Sequence, residues 1–143
     1  MIWFKKYTVE ELSSYLYKNG LMSLLDITIS EIGNDYLHLS MPVTDHIHQI
    51  HGIMHGGATC VLVETAGSIA SGLCVDPEQQ SSVGSQISVN HIRQIKQGVV
   101  IAKCKLVHLG RQKHVWDIPV YEEATGKMIA KGELTCAVIN HRA

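Results

Sequence analysis

The sequence lacks a strong net charge, a long hydrophobic run and closely spaced cysteines, and each absence excludes a class of protein. Twelve basic and thirteen acidic residues give a formal net charge of -1, so no surface for nucleic acid is indicated. The apolar start M-I-W-F-K-K-Y is far too short for a signal peptide, and no stretch is long enough to span a bilayer. We therefore expect a cytoplasmic protein with neither nucleic-acid nor membrane partners.

Disulfide and metal sites are also not expected. The cysteines at 60, 74, 104 and 136 have no C-x-x-C spacing and lie in apolar runs, so we interpret them as reduced core residues. Several of the nine histidines fall between residues 46 and 55. That segment has no H-E-x-x-H and no carboxylate ligand set beyond Asp45. We predict no metal and no tightly bound cofactor.

The chain is long enough for one globular domain over residues 1–143, because 45% of its residues are hydrophobic. T-V-E-E-L-S-S-Y-L-Y-K at 8–18 predicts a short amphipathic helix, with Thr8 and Glu11 as a capping box. Apolar and polar residues alternate on both sides of G-N-D, in L-D-I-T-I-S-E-I and in D-Y-L-H-L-S-M-P-V, and this pattern predicts a hairpin. Strands fill the chain after residue 80, and their short Gly-containing separators predict an antiparallel meander.

Between these strands, the segment from about Gly57 to Leu73 is apolar nearly all round and rich in small residues, which predicts a buried helix. We therefore expect an α+β fold in which a curved antiparallel sheet wraps around a central hydrophobic helix. Gly56 and Gly57 at the start of this helix present backbone N–H groups that could form an oxyanion hole. The alternative is that the two glycines only permit a tight turn.

Glu64 is the one acidic residue in this apolar helix, and its neighbours there include no basic partner. A carboxylate in such surroundings can serve as nucleophile or general base, and Ser68 lies one turn later on the same face. A buried ion pair or a solvated position is the alternative. The eight helical steps from Gly56 to Glu64 put their backbones about 12 Å apart. We therefore expect two antiparallel helices across a two-fold axis to form two shared sites in a homodimer.

The motifs of this chain resemble those of the hotdog-fold acyl-coenzyme A thioesterases. The residues that carry the resemblance are H55-G56-G57-A58, Gln49, Glu64, Ser68, V83-G84 and N90-H91-I92-R93. H-L-G-R at 108–111 and V-W-D-I at 115–118 extend the likeness over nearly the whole chain. The sequence is most similar to the branch that holds 4-hydroxybenzoyl-, 1,4-dihydroxy-2-naphthoyl- and phenylacetate-pathway thioesterases. Relatives commonly have a proline after the glutamine, where this chain has Ile50 and His51, and an acidic residue where it has Gln86.

The resemblance implies hydrolysis of an acyl- or aroyl-coenzyme A with coenzyme A as part of the substrate. It implies that the thioester oxygen binds the Gly56 amide near Gln49, that His55 helps to hold the thioester, and that Ser68 positions the attacking group or water at Glu64. It further implies a set of residues that contact coenzyme A: Val83, Gly84, Ser85, His91, Arg93, His108, Gly110 and Arg111. His91 and Arg93 should share one face of a strand, although an ordinary polar sheet face explains them equally well.

Several questions stay open at this stage. A hotdog dehydratase would also place histidine and carboxylate at an acyl thioester, and a noncatalytic acyl-coenzyme A-binding protein would keep the fold without turnover. The spacing His-Gly-Gly-x6-Glu-x3-Ser favours attack on the carbonyl. Met54, Trp3 and Phe4 are candidates for the acyl pocket. The acyl group, the role of Glu64 as nucleophile or base, and dimer versus dimer of dimers are left undecided.

Overall fold

A six-stranded sheet and one long helix dominate the computed structural model, which describes residues 1–16 and 20–141. The helices are α1 (Val9–Leu16), α2 (Leu21–Leu24) and α3 (Gly56–Leu73), with a 3-10 turn at Asp45–Ile47. The strands are β1 (Thr28–Ile32), β2 (Tyr36–Val43), β3 (Gln80–His91), β4 (Gly98–Leu109), β5 (Lys113–Glu122) and β6 (Met128–Asn140). The predicted α+β class, with a sheet around a central helix, is confirmed.

Helix α1 begins at the predicted capping box. The Thr8 amide donates to Glu11 Oε2 at 3.0 Å, and the Glu11 amide donates to Thr8 Oγ1 at 3.2 Å. These two bonds satisfy amides that the first helical turn leaves free. The predicted end of this helix, at residues 17 and 18, lies outside the described residues. Helix α2 was not predicted.

The strand order β1-β2-β4-β5-β6-β3 corrects the predicted meander. The hairpin β1-β2 and the run β4-β5-β6 pair antiparallel as expected, but β3 pairs with β6 rather than with β4. The reason is that β2 already occupies the free side of β4. Residues 92–97, which include Lys96 and Gln97 of the expected K-Q-G turn, therefore cross from β3, beside β6, to β4, and Ile92 and Arg93 both donate to the Ile129 carbonyl.

The core lies between α3 and one face of the sheet. In β2, Leu37, Leu39, Met41 and Val43 are buried and alternate with more exposed residues, the pattern of a strand with one face in the core. Helix α3 packs closely because its contact residues are small. A Cβ at Gly67 would lie 2.5 Å from Leu134 Cδ2, so only glycine allows the helix to approach β6 at this point.

The four cysteines are free thiols: Cys104 and Cys136 are buried, whereas Cys60 and Cys74 are half-buried. Burial raises the pKa of Cys74 to about 12 and the pKa of Cys104 well above its ordinary value. No helix within residues 1–16 and 20–141 is long and apolar enough to cross a membrane. Those same residues contain no group of three or more His, Cys, Asp or Glu side chains placed to hold a metal ion.

Candidate active site

The N-terminus of α3 carries one unpaired backbone amide. His55 is the N-cap, and its Nδ1 accepts a hydrogen bond from the Gly57 amide at 2.8 Å. The amides of Ala58 and Thr59 donate to the His55 carbonyl, whereas the Gly56 amide has no acceptor among the described residues. The expectation that both glycines offer free amides is therefore wrong for Gly57. The donor left at the positive end of the helix dipole is the Gly56 N–H.

A cavity of about 380 Å³ opens beside Gly56. Its lining combines predicted site residues with apolar side chains, and includes Gln49, Met54, Gly56, Thr59, His91 and Arg93. His91 lies directly against Gly56, because a Cβ at Gly56 would be 2.9 Å from His91 Nε2. Of the three candidates for an acyl pocket, only Met54 lines this cavity; Trp3 lines a different one and Phe4 is half-exposed.

Gln49, which lines this cavity, is held in place by a tight turn. The Gly52 amide donates to the Gln49 carbonyl at 3.0 Å, and the His51 amide donates to Gln49 Oε1. Gly52 adopts a φ of 69°, which glycine tolerates without a steric penalty. The side-chain oxygen of Gln49 is therefore occupied within the turn, and its amide nitrogen is the group available to a ligand. These hydrogen bonds order the loop that carries Ile50 and His51.

Glu64 and Ser68 form a pair on α3. Ser68 Oγ donates to Glu64 Oε1 at 3.1 Å, and both side chains are half-buried. The carboxylate lies against Gly84 of β3: a Cβ there would be 2.9 Å from Glu64 Cδ. The buried Cys136 thiol is also close, since its pKa is raised first by burial and further by the charge of Glu64. No salt bridge to Glu64 occurs among the described residues, which does not support the ion-pair alternative.

Gly56 and Glu64 lie on the same side of α3 but far apart along the helix axis. The residues of α3 that the sheet leaves exposed or half-buried recur at helical spacing: Gly56, Gly57, Cys60, Val61, Glu64, Thr65, Ser68, Ile69 and Gly72. The eight helical steps from Gly56 to Glu64 separate their backbones by about 12 Å along the helix axis. A thioester carbon on the Gly56 amide is therefore too far from the Glu64 of the same chain for direct attack.

The predicted coenzyme A residues fall into three groups on one chain. His91 and Arg93 line the cavity at Gly56, but β3 ends at His91, so the expected strand alternation through Arg93 is wrong. Gly84 faces Glu64, Val83 is 48% exposed on the neighbouring strand position, and Ser85 occupies a bulge opposite β6. His108, Gly110 and Arg111 line a second cavity of about 940 Å³ at the other end of α3, beside Cys74.

The second cavity also contains His114, which sequence reasoning missed. His114 is 3% exposed, and its Nδ1 has no hydrogen-bond partner among the described residues. Burial lowers its pKa, and nearby His108 lowers it further, while the backbone of Gly110 opposes the shift. Lys113 and Arg111 add positive charge to the same cavity. A basic cavity of this kind suits phosphate groups.

Comparison with known proteins identifies the family. The profile of the thioesterase superfamily matches residues 51–129, which span the loop, α3, β3, β4, β5 and the start of β6. The chain belongs to the thioesterase superfamily. Its superfamily relatives include the 1,4-dihydroxy-2-naphthoyl-CoA hydrolase of Escherichia coli, which is 39% identical over 139 residues, covering 97% of this chain and 100% of the relative.

Two further superfamily members agree with this assignment. The proofreading thioesterase EntH of Cronobacter turicensis is 38% identical over 139 residues, which cover 97% of this chain and 99% of EntH. The crystal structure of a mutant of thioesterase PA1618 from Pseudomonas aeruginosa superposes with a TM-score of 0.94 at 38% identity, covering 99% of this chain and 100% of that one. Membership confirms the hotdog fold and the expectation that the protein is a thioester-hydrolysing enzyme.

Proposed function

We propose that the protein hydrolyses an acyl- or aroyl-coenzyme A thioester to the free acid and coenzyme A in sites shared by two copies of the chain. The observation that supports this most directly is that the free Gly56 amide and the Glu64–Ser68 pair lie on the same side of α3, which the sheet does not cover. One copy offers an oxyanion donor without a nearby nucleophile, and the second copy supplies the nucleophile. The name of the Escherichia coli relative favours an aroyl substrate.

The edge strand β3 supports pairing of two copies. It is 12 residues long and has a neighbour, β6, on one side only. Val83 and Ile87 of β3 are 48% and 39% exposed, and a long exposed edge of this kind readily pairs with another strand. Because β3 and α3 lie side by side, antiparallel pairing of two β3 strands would also set two α3 helices antiparallel. A dimer of dimers would use a further surface.

In this dimer the substrate carbonyl oxygen would accept the Gly56 N–H, and the amide nitrogen of Gln49 would donate from the other side of the cavity. His55 would contribute by accepting a hydrogen bond from the Gly57 amide, and this bond fixes the start of the helix. The partner's Glu64 would either attack the thioester carbon or take a proton from an attacking water, while Ser68 orients the carboxylate. In both cases the carbon–sulfur bond breaks and coenzyme A leaves as the thiolate, which then takes up a proton. If water attacks, the free acid forms directly; if Glu64 attacks, a mixed anhydride forms on its carboxyl group, and water then hydrolyses that anhydride to the free acid and the restored carboxylate.

The three groups of coenzyme A residues would meet across the same two-fold axis. One end of β3 carries His91 beside the Gly56 cavity, and its other end, at Gln80, borders the basic cavity. Antiparallel pairing therefore brings the acyl cavity of one copy toward the basic cavity of the other. A substrate with its thioester near Gly56 and its phosphates near Arg111 would lie across the interface. The proposal includes no metal and no cofactor besides the coenzyme A of the substrate, and assigns the reaction to the cytoplasm.

The test is thiol release from benzoyl-, phenylacetyl- and medium-chain acyl-coenzyme A by the wild type and by Glu64→Gln. The variant keeps the size of the side chain and the ability to accept from Ser68, but it cannot attack or take up the proton. We expect hydrolysis by the wild type and a loss of about three orders of magnitude or more in the variant. Absence of thiol release by the wild type, with an enoyl product formed instead, would overturn the hydrolase assignment.

A further inference from the structure

The carboxylate of Glu64 rests on the backbone of Gly84. A Cβ at Gly84 would lie 2.9 Å from Glu64 Cδ and 3.1 Å from Oε2, and closer still to Oε1. All three atoms of the carboxyl group therefore occupy the space that a side chain at position 84 would need. Ser68 contacts the same oxygen, because its Oγ donates to Oε1 at 3.1 Å.

Strand β3 contains a β-bulge at Ser85, directly after Gly84. Gly84 pairs with Cys136 and Gln86 pairs with Thr135, so Ser85 is an extra residue in β3. Its Oγ donates to the Thr135 carbonyl at 3.1 Å. A bulge of this kind bends one strand and redirects the neighbouring positions. Since Cys136 is buried and its thiol contacts the Gly67 carbonyl of α3, its partner Gly84 also faces α3.

We propose that Gly84 is a positioning residue for the reaction: its missing side chain, presented by the bulge at Ser85, holds the Glu64 carboxylate in its reactive position against β3. This inference rests on the proposed role of Glu64. It also assigns Gly84 to the chemistry, whereas the resemblance to the family implied only a contact with coenzyme A. The carboxylate is thereby confined between a strand backbone and the Ser68 hydroxyl, which limits the rotamers it can adopt.

A methyl group at position 84 would separate the effect on chemistry from the effect on folding. The atoms it would meet are the far end of a flexible glutamate side chain, not backbone, so the fold can accommodate it by moving the carboxylate alone. A displacement of a reacting group by about 1 Å can cost about 100-fold in rate. We therefore expect Gly84→Ala to lower kcat by one to two orders of magnitude with KM changed less than about threefold.

The decisive experiment is a double-mutant cycle in kcat with four proteins: wild type, Gly84→Ala, Glu64→Asp and the double variant. Aspartate is one methylene shorter, so its carboxylate does not reach the space over position 84. We expect Gly84→Ala to cost at least about tenfold more in kcat when residue 64 is Glu than when it is Asp. A merely structural role for Gly84 would lower both backgrounds by the same factor, and that result would overturn the proposal.

A matched control adds a methyl group elsewhere on the same side of the molecule. At Gly72 the nearest atom to an added Cβ is Ser82 Oγ at 3.9 Å, so Gly72→Ala should keep kcat within about twofold of the wild type. Failure of this inference is distinguishable from failure of the proposed function. If Glu64→Gln is inactive while Gly84→Ala retains full kcat, only the positioning role is refuted; if Glu64→Gln is fully active, the proposed role of Glu64 is refuted as well.

Discussion

His55 Nδ1 accepts the Gly57 amide at 2.8 Å, and this bond decides which amide of α3 remains free. Both glycines stand in the first helical turn, where no carbonyl of the helix itself can serve as acceptor. With Gly57 bound to the N-cap histidine, Gly56 keeps the one free backbone N–H of the first turn of α3, beside the cavity that Gln49 and His91 also line. The site therefore depends on one backbone N–H at a defined position.

That dependence is testable by removing the N–H alone. Gly56 is the first residue of α3, a position where proline is favoured because its missing donor makes no helical hydrogen bond. His55 has φ -65° and ψ 132°, the conformation that a residue before proline prefers. We expect Gly56→Pro to fold and to lose about 100- to 1,000-fold in kcat, measured by thiol release, because one oxyanion donor is gone.

Gly56→Ala is the matched variant, since it adds a Cβ against His91 as proline does but keeps the N–H. The comparison of Ala with Pro isolates the amide from the contact with the imidazole. We expect most of the loss in the proline variant and little in the alanine variant. Equal kcat values for the two would mean that the contact with His91, and not the amide, determines the rate.

Local sequence signals predicted those parts of the fold that depend on neighbouring residues. Thr8 and Glu11 indicated a helix start, G-N-D indicated the β1-β2 hairpin, and the small residues of 57–73 indicated a buried helix. The position of β3 could not be found this way. K-Q-G resembles a hairpin turn, but whether β3 or β2 pairs with β4 is decided by which strand buries its apolar face best, and no local pattern records that competition.

The same distinction holds for the candidate site. The spacing of Gly56, Glu64 and Ser68 on one helix was readable because helical geometry fixes it. The contact between Glu64 and Gly84 could not be predicted, because it joins residues 20 positions apart on two different elements, α3 and β3. The N-cap role of His55 had only a weak signal, because the preferred N-caps are Ser, Thr, Asp, Asn and Gly, although an imidazole nitrogen can also accept a hydrogen bond. Neither the burial of His114 nor the lack of a hydrogen-bond partner for its Nδ1 among the described residues had a readable signal.

The proposed two-fold axis has a fixed place along α3. For Gly56 of one copy to face Glu64 of the other, the axis must pass midway between them, beside Cys60. Two antiparallel helices packed about 8 to 10 Å apart bring facing residues near the axis within reach of a disulfide. We expect mild oxidation of the native protein to give a covalent dimer on a non-reducing gel. Cys60→Ser should abolish the dimer, whereas Cys74→Ser should not; the reverse pattern would place the axis elsewhere.

His114 predicts a pH dependence of stability. Its folded pKa is lowered by burial from an ordinary value of about 6.5. Below that value the unfolded chain takes up a proton that the folded chain excludes, so the stabilising effect is fully present above it and is lost as pH falls toward the folded pKa. We expect Tm to drop between pH 7.5 and pH 5.5, and to drop less in His114→Gln. Parallel curves for the two proteins would show that His114 does not contribute.

The measurement that tests the shared site most directly is activity after mixing two inactive variants, Glu64→Gln and Gly56→Pro. A mixed dimer contains one site with the intact Gly56 amide of one chain and the intact Glu64 of the other, while its second site lacks both. We predict that co-refolded or subunit-exchanged mixtures recover up to about half of the wild-type rate per mixed dimer, since one of two equivalent sites is restored. Sites formed within single chains would leave every mixture as inactive as its parents, and that result would contradict the account.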